Sequence, residues 1–285
     1  MGEQMPATDN LSSSLERHYS PGGLAAAILA ALQAAGKDPD HLTAEDLAPV
    51  DEFHVRGRRA TLELAELAGL KAGMRVLDVG CGIGGPSRVL AGRYGCRVTG
   101  VDLCGEYCEV ASMLAERLGL AHLVDYRQGD ACTLPFADAT FDLVWTQHVA
   151  MNVPDKRALY AGMARVLKPG GMLALYDGLQ GGGGGIHYPV PWSRRAETSF
   201  LATPDGLRAL LEEAGFAIAD WRDVTGEGLE WFRSTRQRQR DKGPSPLGIH
   251  LLLGEEFPVM AGNLVRNMEE GRLILLEALA IKTTR

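Results

Sequence analysis

Residues 76–91 read VLDVGCGIGGPSRVLA. A short run of β-formers enters a glycine cluster, and a helical segment leaves it. That order demands a buried strand that turns sharply into a helix, with a turn whose backbone carries few side chains. Gly80, Gly82 and Gly85 fit the spacing G-x-G-x-x-G. Such a turn lets a ligand lie directly against main chain, and a pyrophosphate or a sulfonium amino acid can both use it.

The rest of the 285-residue chain is organised around this turn. From residue 74 strands and helices alternate. RVLDVG, RVTGVD, LVDYRQGD, FDLVWTQ and MLALYDG read as strands, with GPSRVLAGRYG, GEYCEVASMLAERLG and DKRALYAGMARVLKPGG as helices between them. Apolar strands between helices predict a parallel sheet covered on both faces. TPDGLRALLEEAGF adds a capped helix, and AIADWRDV and LILLEALAIKTT add two strands. The expected fold is therefore α/β, a Rossmann-like doubly wound sheet of seven strands spanning residues 71–285. Residues 1–70 read as an N-terminal helical cap. It contains an alanine-rich helix ending at Gly36, a capping box from Thr43 to Asp46, and a stripe of Leu62, Leu64 and Leu67. Residues 226–270 are far longer than a turn between two strands requires, so they read as a helical insertion that covers the site.

Composition narrows the function. A net charge of −7 argues against a general nucleic-acid or anionic-membrane binder. The longest apolar run, Leu24 to Leu32, is too short to span a bilayer, so no membrane insertion is expected. The polar N-terminal stretch lacks a signal layout. Five cysteines, an odd number crowded between Cys81 and Cys132, suit a reducing cytoplasm better than a disulfide scaffold. No histidine or cysteine spacing implies a metal. The basic run 233–242 reads as a solvated face, and the five glycines 181–185 as a mobile surface loop, with a lid beside the site as the functional alternative.

The glycine pattern leaves a nicotinamide cofactor and S-adenosylmethionine equally open, because Asp102, 22 residues after Gly80, suits the ribose of either. Three details decide. Asp78 precedes the glycines, where a carboxylate gains nothing from a pyrophosphate but attracts an ammonium group. Asp130 and the Ala131 N–H, at the third strand's tip, suit an adenine edge. PFADATFD then feeds a fourth strand that ends in Thr-Gln-His.

Taken together, VLDVGCGIGG, GVDL, GDA, LPFADATFDLVWT and ARVLKPGG resemble the class I S-adenosylmethionine-dependent methyltransferases over residues 70–225. HYSPGG and DEFHVRG look most like the small-molecule branch that includes sarcosine/dimethylglycine and tocopherol or quinone methyltransferases. The resemblance implies Gly80 and Gly82 under the methionine part of the cofactor and Leu103 packed on the adenine. It also implies Gln147 near the ribose or sulfonium, and Tyr19 over the methionine carboxylate. The base-amino methyltransferases carry Asn/Asp-Pro-Pro-aromatic where this chain has QHVAMN, so no nucleic-acid target is expected.

The implied reaction is methyl transfer to a small-molecule acceptor, an amine first, with a phenol, quinone or carbon acid open. A cofactor-binding protein without turnover and a nicotinamide oxidoreductase are the alternatives. His148 is the candidate base, since its ordinary pKa lies near neutral. His54, His187 with Tyr188, an aromatic wall of Trp192, Trp231 and Phe232, and the pair Asn263 and Asn267 are further candidates to face the acceptor. Oligomeric state is not legible.

Overall fold

The computed structural model describes residues 22–243 and 245–284. Tyr19 lies outside them.

Seven strands form one sheet in the order β3-β2-β1-β4-β5-β7-β6. They are β1 (Arg75–Val79), β2 (Arg97–Asp102), β3 (Val124–Gln128), β4 (Phe141–Gln147), β5 (Leu167–Gln180), β6 (Phe216–Asp223) and β7 (Leu273–Lys282). Strands β1 to β5 pair in parallel. The order reverses between β1 and β4, which opens a crevice at their carboxyl ends.

The parallel expectation holds for these five, whereas β7 runs antiparallel to both β5 and β6. The reason is the path of the chain. β6 ends at the carboxyl edge of the sheet. The chain stays there through α8 (Thr225–Lys242), α9 (His250–Leu253) and α10 (Phe257–Glu269), then re-enters the sheet from that same edge. Helices between β6 and β7 therefore lie over the crevice. A second difference is local. Helix α6 (Lys156–Val166) stops before Lys-Pro-Gly-Gly, because Leu167 already pairs with Phe141 ahead of a bulge.

Strand alternation sorts the core into two layers. Val76, Leu143 and Trp145 face α3 (Arg58–Leu67), α4 (Gly85–Tyr94) and α10. Leu77, Val79 and Val144 face α6 and α7 (Pro204–Glu213). A third cluster joins α1 (Leu24–Ala34) and α2 (Ala44–Asp51) to α5 (Gly105–Arg117). There Ile28, Leu32, Leu47 and Val50 meet Tyr107, Val110 and Leu114.

Two buried ion pairs lock residues 22–70 to helix α4 and to the sheet. Arg88, on α4, bonds the Asp51 carboxylate at the end of α2 and also donates to the Ile83 carbonyl at 2.7 Å. Arg56 bonds Glu277 of β7 at 2.6 Å and also pairs with Glu63. Gly85 is required at this contact, since a Cβ would collide with the Asp51 carbonyl.

Arg88→Ala leaves Asp51 buried without its cation. It is expected to cost about 3–5 kcal/mol, the scale for one broken buried pair, measured by urea denaturation. A loss under 1 kcal/mol would mean that the clamp does not hold the fold.

Candidate functional site

The crevice is a cavity of about 630 Å³, well inside the ~300–1,000 Å³ of small-ligand sites. One end is built by the turns after β1, β2 and β3. Gly80 and Gly82 have φ of 72° and 52°, left-handed values that suit glycine. They are needed for different reasons. A Cβ on Gly80 would collide with Val149, whereas at Gly82 it would meet nothing and stand in open space.

Asp102 organises this end. Its two carboxylate oxygens accept from Gly82 N at 2.8 Å and Cys104 N at 2.9 Å. Each oxygen keeps a further lone pair for a ligand hydroxyl. Burial raises its pKa, and the backbone donors work against that rise. Asp130 is fixed in the same way, accepting from Cys132 N at 2.8 Å. Leu103 and Ala131 line the cavity beside these two. Asp78 sits deeper, 2% exposed, and accepts from Ser87 Oγ at 2.6 Å. Burial pushes its carboxyl up to about 7.

These residues fit an adenosylmethionine: bare backbone at Gly82, a braced carboxylate for a diol, a second at the β3 tip, and a buried carboxyl for an ammonium. The structure thus gathers Asp78, Gly80, Gly82, Asp102, Leu103, Asp130, Ala131, Gln147 and His148 around one cavity.

The other end is apolar. Trp192, Trp231, Phe232, Leu252, Phe257 and Leu264 line it, all but Trp192 from α8–α10. Gln147 and His148 lie at the junction. The Gln147 amide oxygen accepts from Trp145 Nε1 at 2.9 Å, and its Nε2 is buried without a partner. His148 has φ of 56°, uncommon for a non-glycine residue. This left-handed step breaks the alternation of β4. Its ring lies edge-on to Tyr176 at 4.7 Å and parallel to His54 at 6.1 Å, and Nε2 is buried without a partner.

Burial, then the neighbouring His54, hold the His148 imidazole down to about 3. The expectation of a base with an ordinary near-neutral pKa is therefore corrected. At neutral pH His148 is an uncharged ring.

Other expectations also change. The glycines 181–185 are not beside the site. Gly181 and Gly183 donate to the Arg272 and Gly271 carbonyls at 2.8 and 2.9 Å, and a Cβ on either would strike that backbone. The run allows two main chains to pack closely. Asn267 is fully buried and brackets His187, accepting from its N–H at 2.8 Å and donating to its carbonyl at 3.0 Å. Asn263 donates to the Pro189 carbonyl at 2.9 Å. His187 itself bonds Glu270 at 2.9 Å. These groups anchor the 187–189 segment to α10 and do not line the cavity. By contrast Phe53, Met151, Val153, Ile249 and Leu252 line the cavity and were not anticipated. Nothing in their type separates them from ordinary core residues.

Comparison with known proteins agrees with this geometry. A family model described as a methyltransferase domain matches residues 77–175. O-methyltransferase resE of Aspergillus sclerotiorum is 31% identical over 185 residues, covering 63% of this chain and 69% of that protein. The chain belongs to the class I S-adenosylmethionine-dependent methyltransferases.

That membership removes the dinucleotide reading of the glycine turn, since the family's cofactor is S-adenosylmethionine. Methyltransferase GfsG of Streptomyces halstedii is 39% identical over 132 residues, covering 46% of this chain and 48% of that protein. The chain thus spans about half the length of GfsG. It spans less than a third of the sterol 24-C-methyltransferase ERG6B of Gibberella zeae, which it also matches. Among solved structures, the [4+2]-cyclase SpnF shares the fold with a TM-score of 0.61 at 24% identity, covering 91% of this chain and 94% of that one. Among the described residues no helix is long and apolar enough to cross a membrane.

The His148 environment has a direct signature. By NMR its ring protons should titrate far below the ordinary 6.5, and a midpoint near 6.5 would contradict the buried geometry. The unfolded chain takes up this proton first. His148 therefore lowers stability as pH falls below about 6.5, and the effect grows until about 3.

Proposed function

We propose that this chain transfers a methyl group from S-adenosylmethionine to a small-molecule acceptor bound under α8–α10. The observation that carries this reading is the continuity of the cavity: braced carboxylates and a bare glycine turn open directly into an apolar chamber. When bound, the cofactor supplies a sulfonium methyl that a nucleophile displaces in line, leaving a neutral thioether. The protein's task is then to align the acceptor and exclude water. Asp102 takes the ribose diol, Asp130 and Ala131 the adenine edge, Leu103 its face, and Asp78 the methionine ammonium above Gly80 and Gly82. Gln147 Nε2 offers a donor at the junction. His148 contacts the acceptor. Residues 22–70 act as a cap and α8–α10 as the cover. The target is a small molecule and not a nucleic acid, in keeping with the apolar chamber.

A second reading has one specific support. A [4+2]-cyclase shares the fold over nearly its whole length, so the fold by itself does not require methyl transfer, and the second reading is a cofactor-binding chain without turnover. Production of S-adenosylhomocysteine separates the two.

Calorimetric titration tests the reading directly: S-adenosylmethionine and S-adenosylhomocysteine should bind in the micromolar range and NAD not at all. Asp102→Ala should lose about 1–3 kcal/mol of that affinity, the cost of charge-assisted hydrogen bonds. An unchanged affinity removes Asp102 from the ribose. His148→Ala should slow turnover and leave cofactor affinity intact. An ammonium beside Asp78 favours its ionised form, so binding should expel a proton. Affinity should then rise with pH until about 7 and level off above it. Asp78→Asn should flatten that slope, read in buffers of different ionisation enthalpy.

A further inference from the structure

One pair of nucleophilic side chains has no part in methyl transfer as described above. All five cysteines are free. Two of them come from separate elements. Cys81 stands between Gly80 and Gly82 in the turn after β1, and Cys108 lies in the first turn of α5. Their thiols are in hydrogen-bonding contact. The neighbouring backbone makes room for them. Gly100 of β2 is bare where Cys81 packs, since a Cβ there would stand 2.8 Å from Cys81 Sγ. Cys108 Sγ lies 4.0 Å from the carbonyl oxygen of Asp102, at the end of the same strand. The pair thus sits beside the residue that braces the glycine turn.

The two thiols are not equivalent. Cys81 lines the cavity and Cys108 does not. The hydrogen bond with Cys81 holds the Cys108 thiol below its ordinary range, against its burial, while burial pushes the Cys81 thiol up. Burial also pushes Cys96 and Cys132 up to about 11, so neither supplies thiolate near neutral pH. A disulfide bond of about 2.05 Å is shorter than any non-bonded contact between sulfurs. Joining the pair therefore draws the glycine turn and α5 together. That turn has little slack. Gly80 N and Cys81 N both donate to the Val101 carbonyl, at 2.7 and 3.1 Å, and Gly82 N donates to Asp102 at 2.8 Å. A pull on Cys81 shifts the bare backbone and loosens its brace at once.

We propose that Cys81 and Cys108 form a reversible oxidation site, in which a disulfide between them displaces the glycine turn and shuts the cofactor out of the cavity. The identity of that cofactor rests on the methyl-transfer reading above; the bond itself does not. The oxidant is a peroxide. The Cys108 thiolate attacks one peroxide oxygen, the O–O bond breaks, and hydroxide leaves a sulfenic acid behind. The Cys81 sulfur then attacks the Cys108 sulfur, the S–O bond breaks, and water departs as the Cys81 proton is lost. Two thiols give up two electrons, and hydrogen peroxide is reduced to two waters. A dithiol reverses the bond by exchange. Since Cys81 lines the cavity, a bound cofactor holds the turn in place. Cofactor and disulfide then exclude one another, each weakening the other by the same factor.

The test treats the full chain with hydrogen peroxide, with and without S-adenosylhomocysteine, followed by alkylation and digestion. Fragmentation mass spectrometry should find Cys81 joined to Cys108, and the link should form more slowly when S-adenosylhomocysteine is present. By calorimetry the oxidised chain should bind S-adenosylmethionine roughly tenfold more weakly than the reduced chain, and dithiothreitol should restore the affinity. Cys108→Ser should bind as the reduced chain does and keep that affinity after peroxide; should it unfold, Cys108→Ala takes its place. Absence of the link, a link from Cys81 to Cys104 instead, or a linked chain of undiminished affinity overturns the proposal. So does a loss of affinity that persists in the Cys108 variant. Failure of the reduced chain to bind S-adenosylmethionine would instead overturn the reading beneath it, and the presence or absence of the link would still decide whether the pair is an oxidation site.

Discussion

One carboxylate holds the glycine-turn end of the cavity together. Asp102 closes β2 and reaches back to the Gly82 amide in the turn after β1, while its second oxygen takes the Cys104 amide that opens α5. Its own carbonyl accepts from Gly129 at 2.9 Å, after β3. The turns after β1, β2 and β3 are thereby set by one residue. An ionised carboxylate that accepts two backbone N–H bonds is both rigid and pre-aimed. The cost of burying it is partly offset by those same bonds.

Around that fixed point the chain closes the cavity from two sides. The cap is held by Arg88 and Arg56, buried guanidiniums whose carboxylate partners lie at the end of α2 and on β7. The cover arises because β7 returns antiparallel, which keeps α8–α10 at the carboxyl edge. Cap and cover meet where β4 ends. There the left-handed step at His148 turns its ring against His54 and Tyr176. The strain of that step, of order 1–3 kcal/mol, is sustained by the His148 N–H bond to the Tyr176 carbonyl at 2.7 Å and by the packed rings.

The glycine turn, the acids at the ends of β1, β2 and β3, and the alternating core were legible because each is local. A turn with positive φ selects glycine, a strand tip selects the residue that follows it, and burial on a strand alternates with period two. The glycine run misled for a related reason. Bare backbone is needed equally for mobility and for close packing, and only the neighbouring main chain of residues 270–272 tells them apart. Asn263 and Asn267 share a helix face, as their spacing implies, but that face binds the 187–189 backbone and not the cavity.

By itself the sequence determined the α/β order, the glycine turn and the carboxylates at the strand ends, because neighbours in the chain supply most of the geometry these need. Tertiary structure alone decided the direction of β7, the apolar end of the cavity and the depressed basicity of His148. Each of those depends on groups brought together from distant segments, and on the loss of water that follows. Neither can be read from spacing along a chain.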